Sequence, residues 1–202
     1  MTTPPLRIAA LVSGGGRTVA NLAEAIKRDG IRASIELVVA HRADLPAVER
    51  CRGLGLDVVV VPPAPEATLA DRIDELLVAR SIDLVCLCGY LRRFRVGARW
   101  AGRAINIHPS LLPAFGGHGM YGLRVHEAVI AAGATTTGCT VHLVDEDYDR
   151  GRILLQRSIE VPKDATPERL ADLVFAEECI ALPEAVRAMA SCNGPVRRDG
   201  TS

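Results

Sequence analysis

"LRIAALVSGGGRTVANLAEAIKRDG", residues 6–30, is the stretch on which the reading of the fold turns. Leu6 to Val12 is apolar except for Arg7, which describes a strand covered on both faces. Three glycines then allow a tight turn, and Thr18 to Gly30 carries apolar residues at helical spacing, with a glycine to end the helix. A buried strand running through a glycine turn into a helix is the first half of a βαβ unit.

The same alternation continues outward. "ASIELVVA" (33–40) reads as a strand and "DLPAVERCRGLG" (44–55) as a helix, with Asp44 placed to cap it and Pro46 near its start. "LDVVVVPP" (56–63) is a third strand. "TLADRIDELLVARS" (68–81) is a helix with Leu69, Ile73, Leu76 and Leu77 on its apolar face. "DLVCLCGYL" (83–91), a polar basic segment "RRFRVGARWAG" (92–102) and the strand "AINI" (104–107) follow. This order predicts right-handed crossovers and a Rossmann-like, doubly wound α/β fold with a mostly parallel sheet. After residue 116 the pattern changes. A helix "LRVHEAVIAAG" (123–133) precedes two alternating strands, "TTTGCTVHLV" (135–144) and "RILLQRSIEV" (152–161), joined by the acidic loop "DEDYDRG". That is an antiparallel pair toward the C-terminal end of the sheet. Thr166 caps a last long helix, with Pro167 at its first position and Pro183 expected to kink or restart it. Residues 1–191 read as one domain, and 192–202 as a polar, frayed tail.

Composition narrows the function classes. The 202 residues are 49% hydrophobic and only 3% aromatic, which predicts an aliphatic core. Basic and acidic residues number 24 each, so no electrostatic footprint for nucleic acid or an anionic membrane surface is expected. The N-terminal apolar run is too short for a signal peptide, and no run approaches a membrane span. Six scattered cysteines without a C-x-x-C pair read as buried thiols of a cytoplasmic protein.

In an open α/β sheet, ligands bind beyond the carboxyl ends of the strands, and two segments fall there. "SGGGRT" (13–18) combines a close-approaching backbone with a helix N-terminus, which suits a phosphate. It lacks the third glycine of a dinucleotide fingerprint and the G-K-[ST] of a P-loop. The second segment is "RAINIHPSLLPAFGG" (103–117). Residues two apart on a strand share a face, about 7 Å apart. Asn106 and His108 therefore project together where the strand runs out, the Asn as a donor to a developing oxyanion and the His as proton carrier or cation. A lone histidine is ordinarily a structural hydrogen bonder; its Asn neighbour makes it a candidate. A carboxylate from Asp145, Glu146, Asp147 or Asp149 beside His108 would raise the histidine's pKa. His118, His126 and His142 show no metal-ligand spacing with it, so no metal is expected, and His142 reads as a supporting or structural residue.

"NIHPSLLP" (106–113) together with "TGCTVHLVDEDYDRGRILLQ" (137–156) resembles the folate-dependent formyltransferases, a likeness running from about Leu6 to about Arg187. The resemblance implies a metal-free enzyme that moves a formyl group from the co-substrate 10-formyltetrahydrofolate to the free amine of glycinamide ribonucleotide in purine synthesis, as monomer or homodimer. It implies Asn106, His108 and Asp149 as catalytic residues, Asp149 being selected by the "D-x-G" ending of the motif. It further implies Gly16, Arg17 and Thr18 around the ribose phosphate and Glu178 at the glycinamide end, although helical phase beside Val174 does not separate Glu178 from Glu177. Leu91, Arg92, Arg93 and Phe94, with Asn106, would line the folate pocket, and "GGHGMYGLRVHEAV" (116–129) would supply a mobile flap.

Three features depart from the family pattern, one being that the loop "GGHGMYGLRVHEAV" is longer than its commonest form. Arg17-Thr18 stands where Ser-Asn is usual, with Arg17 a possible extra phosphate ligand. No base stands near Glu66 to meet the folate's glutamate tail, a role left to Arg92 or Arg93. The competing readings are transfer to a different phosphorylated amine, an NADP-dependent reductase using Arg42, and a non-catalytic folate-binding regulator.

Overall fold

A computed structural model describes residues 4–192; the tail expected to fray lies almost wholly outside the described residues. Seven strands form one sheet in the order β3-β2-β1-β4-β5-β6-β7. β1 (Leu6–Val12), β2 (Ala33–Ala40), β3 (Val58–Val60), β4 (Leu84–Leu87) and β5 (Ala104–His108) are parallel, while β6 (Thr136–Leu143) and β7 (Ile153–Glu160) extend the sheet antiparallel. This is the expected doubly wound architecture. The order reverses between β2-β1 and β4, so the crevice beyond the carboxyl ends of β1 and β4 is the place for a ligand.

The strand β1 shows why the sheet sits where it does. Leu6, Ile8, Ala10 and Val12 face one core, and Ala9 and Leu11 face the other. Helices α1 (Arg17–Arg28), α2 (Pro46–Gly53), α5 (Leu123–Ala131) and the long α6 (Pro167–Cys192) cover the first face. α3 (Glu66–Ala79) and the one-turn α4 (Gly97–Trp100) cover the second, with Leu69, Ile73 and Leu77 buried as their spacing predicted. The basic segment 92–102 thus contains a short helix. Two of its four arginines pair with α3: Arg95 meets Asp71 at 2.7 Å and Arg99 meets Asp74 at 3.6 Å.

Two local expectations are corrected. Asp44 does not cap α2; Leu45 is the capping residue, without a side-chain bond, and Asp44 instead pairs with Arg42 at 3.0 Å. Pro46, at the first helical position, has no N–H there to satisfy, which lessens the need for a cap. Pro183 does not restart the last helix, because α6 runs as one element through it. Thr166 does cap α6, accepting the Arg169 N–H at 3.3 Å.

β6 and β7 approach closely at Gly138, where an added Cβ would collide with the Arg157 carbonyl oxygen. Gly138→Ala is expected to lower stability by about 2–3 kcal/mol through this overpacking, read as a fall in the urea midpoint; an unchanged midpoint would show the pairing to be looser than described.

Candidate active site

β5 ends as its alternation requires. Ile105 and Ile107 join the core under α6, and Asn106 and His108 stand on the opposite face of the strand, lining a cavity of about 390 Å³. The chain then leaves the sheet at Pro109 and is folded back by two polar clamps. Thr140 accepts the Leu112 N–H and donates to the Ser110 carbonyl, and Gln156 donates to the Leu112 carbonyl. This turn brings the Phe115 carbonyl to 2.8 Å from His108 Nε2. A carbonyl can only accept, so Nε2 carries the proton and Nδ1 keeps the lone pair of the neutral ring.

That free nitrogen faces Asp149, 3.5 Å from Oδ2. Of the four acids in the loop, Asp149 is the one at His108. Its backbone is left-handed (φ 57°), an uncommon state for a non-glycine residue. Its carboxylate also accepts the Gly117 N–H at 2.9 Å and an Asn106 Nδ2–H at 3.3 Å, and its Oδ1 lies 3.5 Å from His142 Nε2. Burial alone would raise this carboxyl, but the net shift is downward, with the Gly117 N–H among the groups that favour the anion.

His142 is the residue whose place the sequence concealed. Antiparallel register puts it opposite Asn106. Its Nδ1–H donates to the Leu143 carbonyl at 2.8 Å, leaving Nε2 to accept from Asn106 Nδ2 at 3.1 Å. Both N–H directions of Asn106 are therefore engaged by protein groups. The only sequence signal was the alternation in "CTVHLVD", which marks a face but not a register.

One electrostatic expectation is overturned. Asp149 does act to raise the His108 pKa, and so does the Phe115 carbonyl, but burial of the ring outweighs both and the net shift is downward. In a dry site the cost of desolvating an imidazolium exceeds the attraction of one carboxylate 3.5 Å away. His108 is neutral in the protein alone near pH 7.

The other predicted residues divide. Leu91, Arg92, Arg93 and Phe94 all line the cavity, as do Thr18 and Glu178; Gly16 and Arg17 do not. Arg17 turns toward α6, where Asp172 lies 3.4 Å away and the Phe175 ring 4.0 Å below the guanidinium. Arg93 is held by the Glu146 carbonyl at 2.7 Å, whereas Arg92 pairs with no carboxylate among the described residues. Glu177 is drawn to Arg157 at 2.6 Å, which leaves Glu178 as the glutamate of the cavity wall. Burial raises the Glu178 carboxyl to about 7, with the Arg17 charge opposing. Ser13 joins the two halves: its N–H donates to the Gly89 carbonyl, and its hydroxyl accepts the Leu91 N–H at 3.0 Å. The flap contributes Gly117 to Gly122 to the lining, and His118 meets Tyr148 edge-on at 5.8 Å, bridging flap and acidic loop.

The doubly wound sheet thus carries a polar Asn–His–carboxylate cluster at the end of its fifth strand. The chain belongs to the formyl transferase family, which matches residues 6–186. It is 40% identical over 200 residues to the chloroplastic phosphoribosylglycinamide formyltransferase of Vigna unguiculata, covering 96% of this chain and 64% of that protein. It is 36% identical over 196 residues to the trifunctional purine biosynthetic protein adenosine-3 of Bos taurus, covering 95% of this chain and 19% of the relative. The chain thus spans less than two thirds of the length of either. Among solved structures it is similar to glycinamide ribonucleotide transformylase 1 from Symbiobacterium toebii, with a TM-score of 0.86 and 35% identity over 93% of this chain and 88% of that one. No helix among the described residues is long and apolar enough to cross a membrane.

A raised carboxyl makes a sign-specific prediction. The neutral form of Glu178 stabilises the fold fully below about pH 4.5, and that contribution is lost as pH rises through about 7. Relative to Glu178→Gln, the wild type is expected to lose stability between pH 5 and pH 8. Parallel urea midpoints for the two proteins across that range would refute the raised value.

Proposed function

We propose that this chain transfers the formyl group of 10-formyltetrahydrofolate to the amine of glycinamide ribonucleotide, a step of purine synthesis. The observation that carries the reading is the convergence of Asn106, His108 and Asp149 on one cavity. One wall of it carries Thr18 and Glu178, and another carries the segment 91–94 and the loop 144–149. A formyl carbon seated at the cluster would have an amine on one side and its folate nitrogen on the other.

The folate pocket fits in kind. Leu87, Phe94, Ile107 and Val144 give an apolar lining for a flat ring system. Arg92, with no carboxylate partner among the described residues, is assigned to the glutamate tail in preference to Arg93, which Glu146 already holds. Gly16 and the free N–H groups that open α1 receive the acceptor's phosphate; no side chain caps that helix. Glu178 takes the glycinamide end. With a value about 7 it ionises readily when a cationic amine arrives and helps leave that amine oriented.

The chemistry then follows from charge. The amine attacks the formyl carbon, and negative charge grows on the formyl oxygen. Asn106 supplies an N–H by releasing Asp149, the longer of its two contacts at 3.3 Å. The new negative charge favours the imidazolium that burial disfavours in the protein alone, so His108 Nδ1 takes up the amine's proton as the intermediate forms. Asp149 stabilises the resulting cation, and the proton passes on to the departing folate nitrogen, so the ring returns to neutral. Nitrogen–carbon bond formation and cleavage balance without oxidation or reduction.

Asn106→Ala is expected to lower kcat by about 10²–10³-fold, the loss of one oxyanion donor, with His108→Ala and Asp149→Ala lowering it at least as far while each protein stays folded. The assay follows loss of 10-formyltetrahydrofolate by absorbance, with and without glycinamide ribonucleotide. Loss only with the nucleotide supports the reading. Loss without it indicates hydrolysis, and loss with another amine alone would move the activity to a different acceptor.

A further inference from the structure

A cation beside the helix N-terminus would strengthen its hold on the acceptor's phosphate, and Arg17, the base adjoining the glycine turn in sequence, is engaged elsewhere, held between Asp172 and the Phe175 ring on α6. A different arginine stands over the turn. Helix α2 packs its first turn directly on residues 14–16: the Ala47 N–H donates to the Gly14 carbonyl at 3.2 Å. A Cβ on Gly16 would lie 2.9 Å from both Cα and Cβ of Ala47. Gly16 is also left-handed, at φ 71°, so it is glycine for two reasons. Arg50 follows Ala47 by three residues and shares that helix face. Its Nη1 lies 3.4 Å from the point where a Gly15 side chain would begin. The guanidinium thus lies at van der Waals distance from the Gly15 Cβ position, beside the glycine backbone.

Arg50 is exposed and pairs with no carboxylate among the described residues. Its neighbour Arg42, on the same connection, is neutralised by Asp44 at 3.0 Å. A guanidinium with no carboxylate partner among the described residues thus lies beside the glycine backbone that leads into the N-terminus of α1, which has no side-chain cap.

We propose that Arg50 is the specificity residue for the acceptor's phosphate, reaching across from α2 to close the side of the turn opposite α6. The inference rests on the acceptor reading above. A guanidinium offers a phosphate two parallel N–H donors, and the open helix end supplies the others. Arg17 instead braces α1 against α6 and keeps its charge near Glu178, as the opposing effect on that carboxyl records.

The test compares Arg50→Gln with Arg52→Gln, the same charge change two residues along the same helix. Arg50→Gln should raise KM for glycinamide ribonucleotide by roughly 10- to 100-fold, the loss of a charge-assisted contact. kcat should stay within about twofold, the folate KM should be unchanged, and Arg50→Lys should restore much of the affinity. Unphosphorylated glycinamide riboside should be used equally poorly by wild type and Arg50→Gln. An unchanged KM in Arg50→Gln, an equal loss with the riboside, or a larger loss in Arg17→Gln would overturn the assignment. Calorimetry with ribose 5-phosphate separates this inference from the acceptor reading. Binding that Arg50→Gln abolishes, in a protein that does not formylate the nucleotide, sustains Arg50 and defeats the acceptor. Formylation with an Arg50-independent KM does the reverse.

Discussion

The carboxylate of Asp149 is the point on which the site depends. It collects contacts from four residues at three places in the chain: Asn106 and His108 on β5, His142 on β6, and the Gly117 N–H at the root of the flap. To do so it sits in a left-handed backbone state that a side chain ordinarily avoids. The strain is sustained by the closeness of its surroundings. A Cβ on Gly116 would lie 3.3 Å from the Asp149 Cβ, and one on Gly151 would collide with the Leu143 carbonyl. Loop, flap and sheet are therefore fitted around one anion.

The tautomers around that anion are set by the backbone. Backbone carbonyls at Phe115 and Leu143 each claim one ring N–H, so His108 and His142 both turn their lone pairs inward, toward Asp149 and Asn106. Burial keeps the His108 ring uncharged in the protein alone, so it adds no standing cation beside this carboxylate. In the reaction proposed, proton uptake by His108 is tied to the moment when a further negative charge develops nearby.

Much of this was legible in the residues. The strand and helix periods place every strand of the sheet, and the spacing of Asn106 and His108 places both on one face of β5. What escaped was decided by contacts distant in sequence. Pairing register brings His142 to Asn106, and no local pattern encodes register. Arg157, on β7, separates Glu177 from Glu178 where helical phase did not. Asp172 and Phe175 draw Arg17 away from a turn it adjoins. The direction of the His108 shift is a contest of magnitudes between burial and a neighbouring charge, and residue types alone give only the list of contestants.

The most direct test of this account is the protonation state of the two site histidines, followed by nitrogen-15 NMR of the ring nitrogens between pH 5 and pH 8. The account predicts that at pH 7 His108 is neutral with its proton on Nε2, that His142 carries its proton on Nδ1, and that His108 titrates below the ordinary histidine value. A His108 imidazolium persisting at pH 7 in the protein alone would contradict it, and would return Asp149 to the role of holding a standing cation.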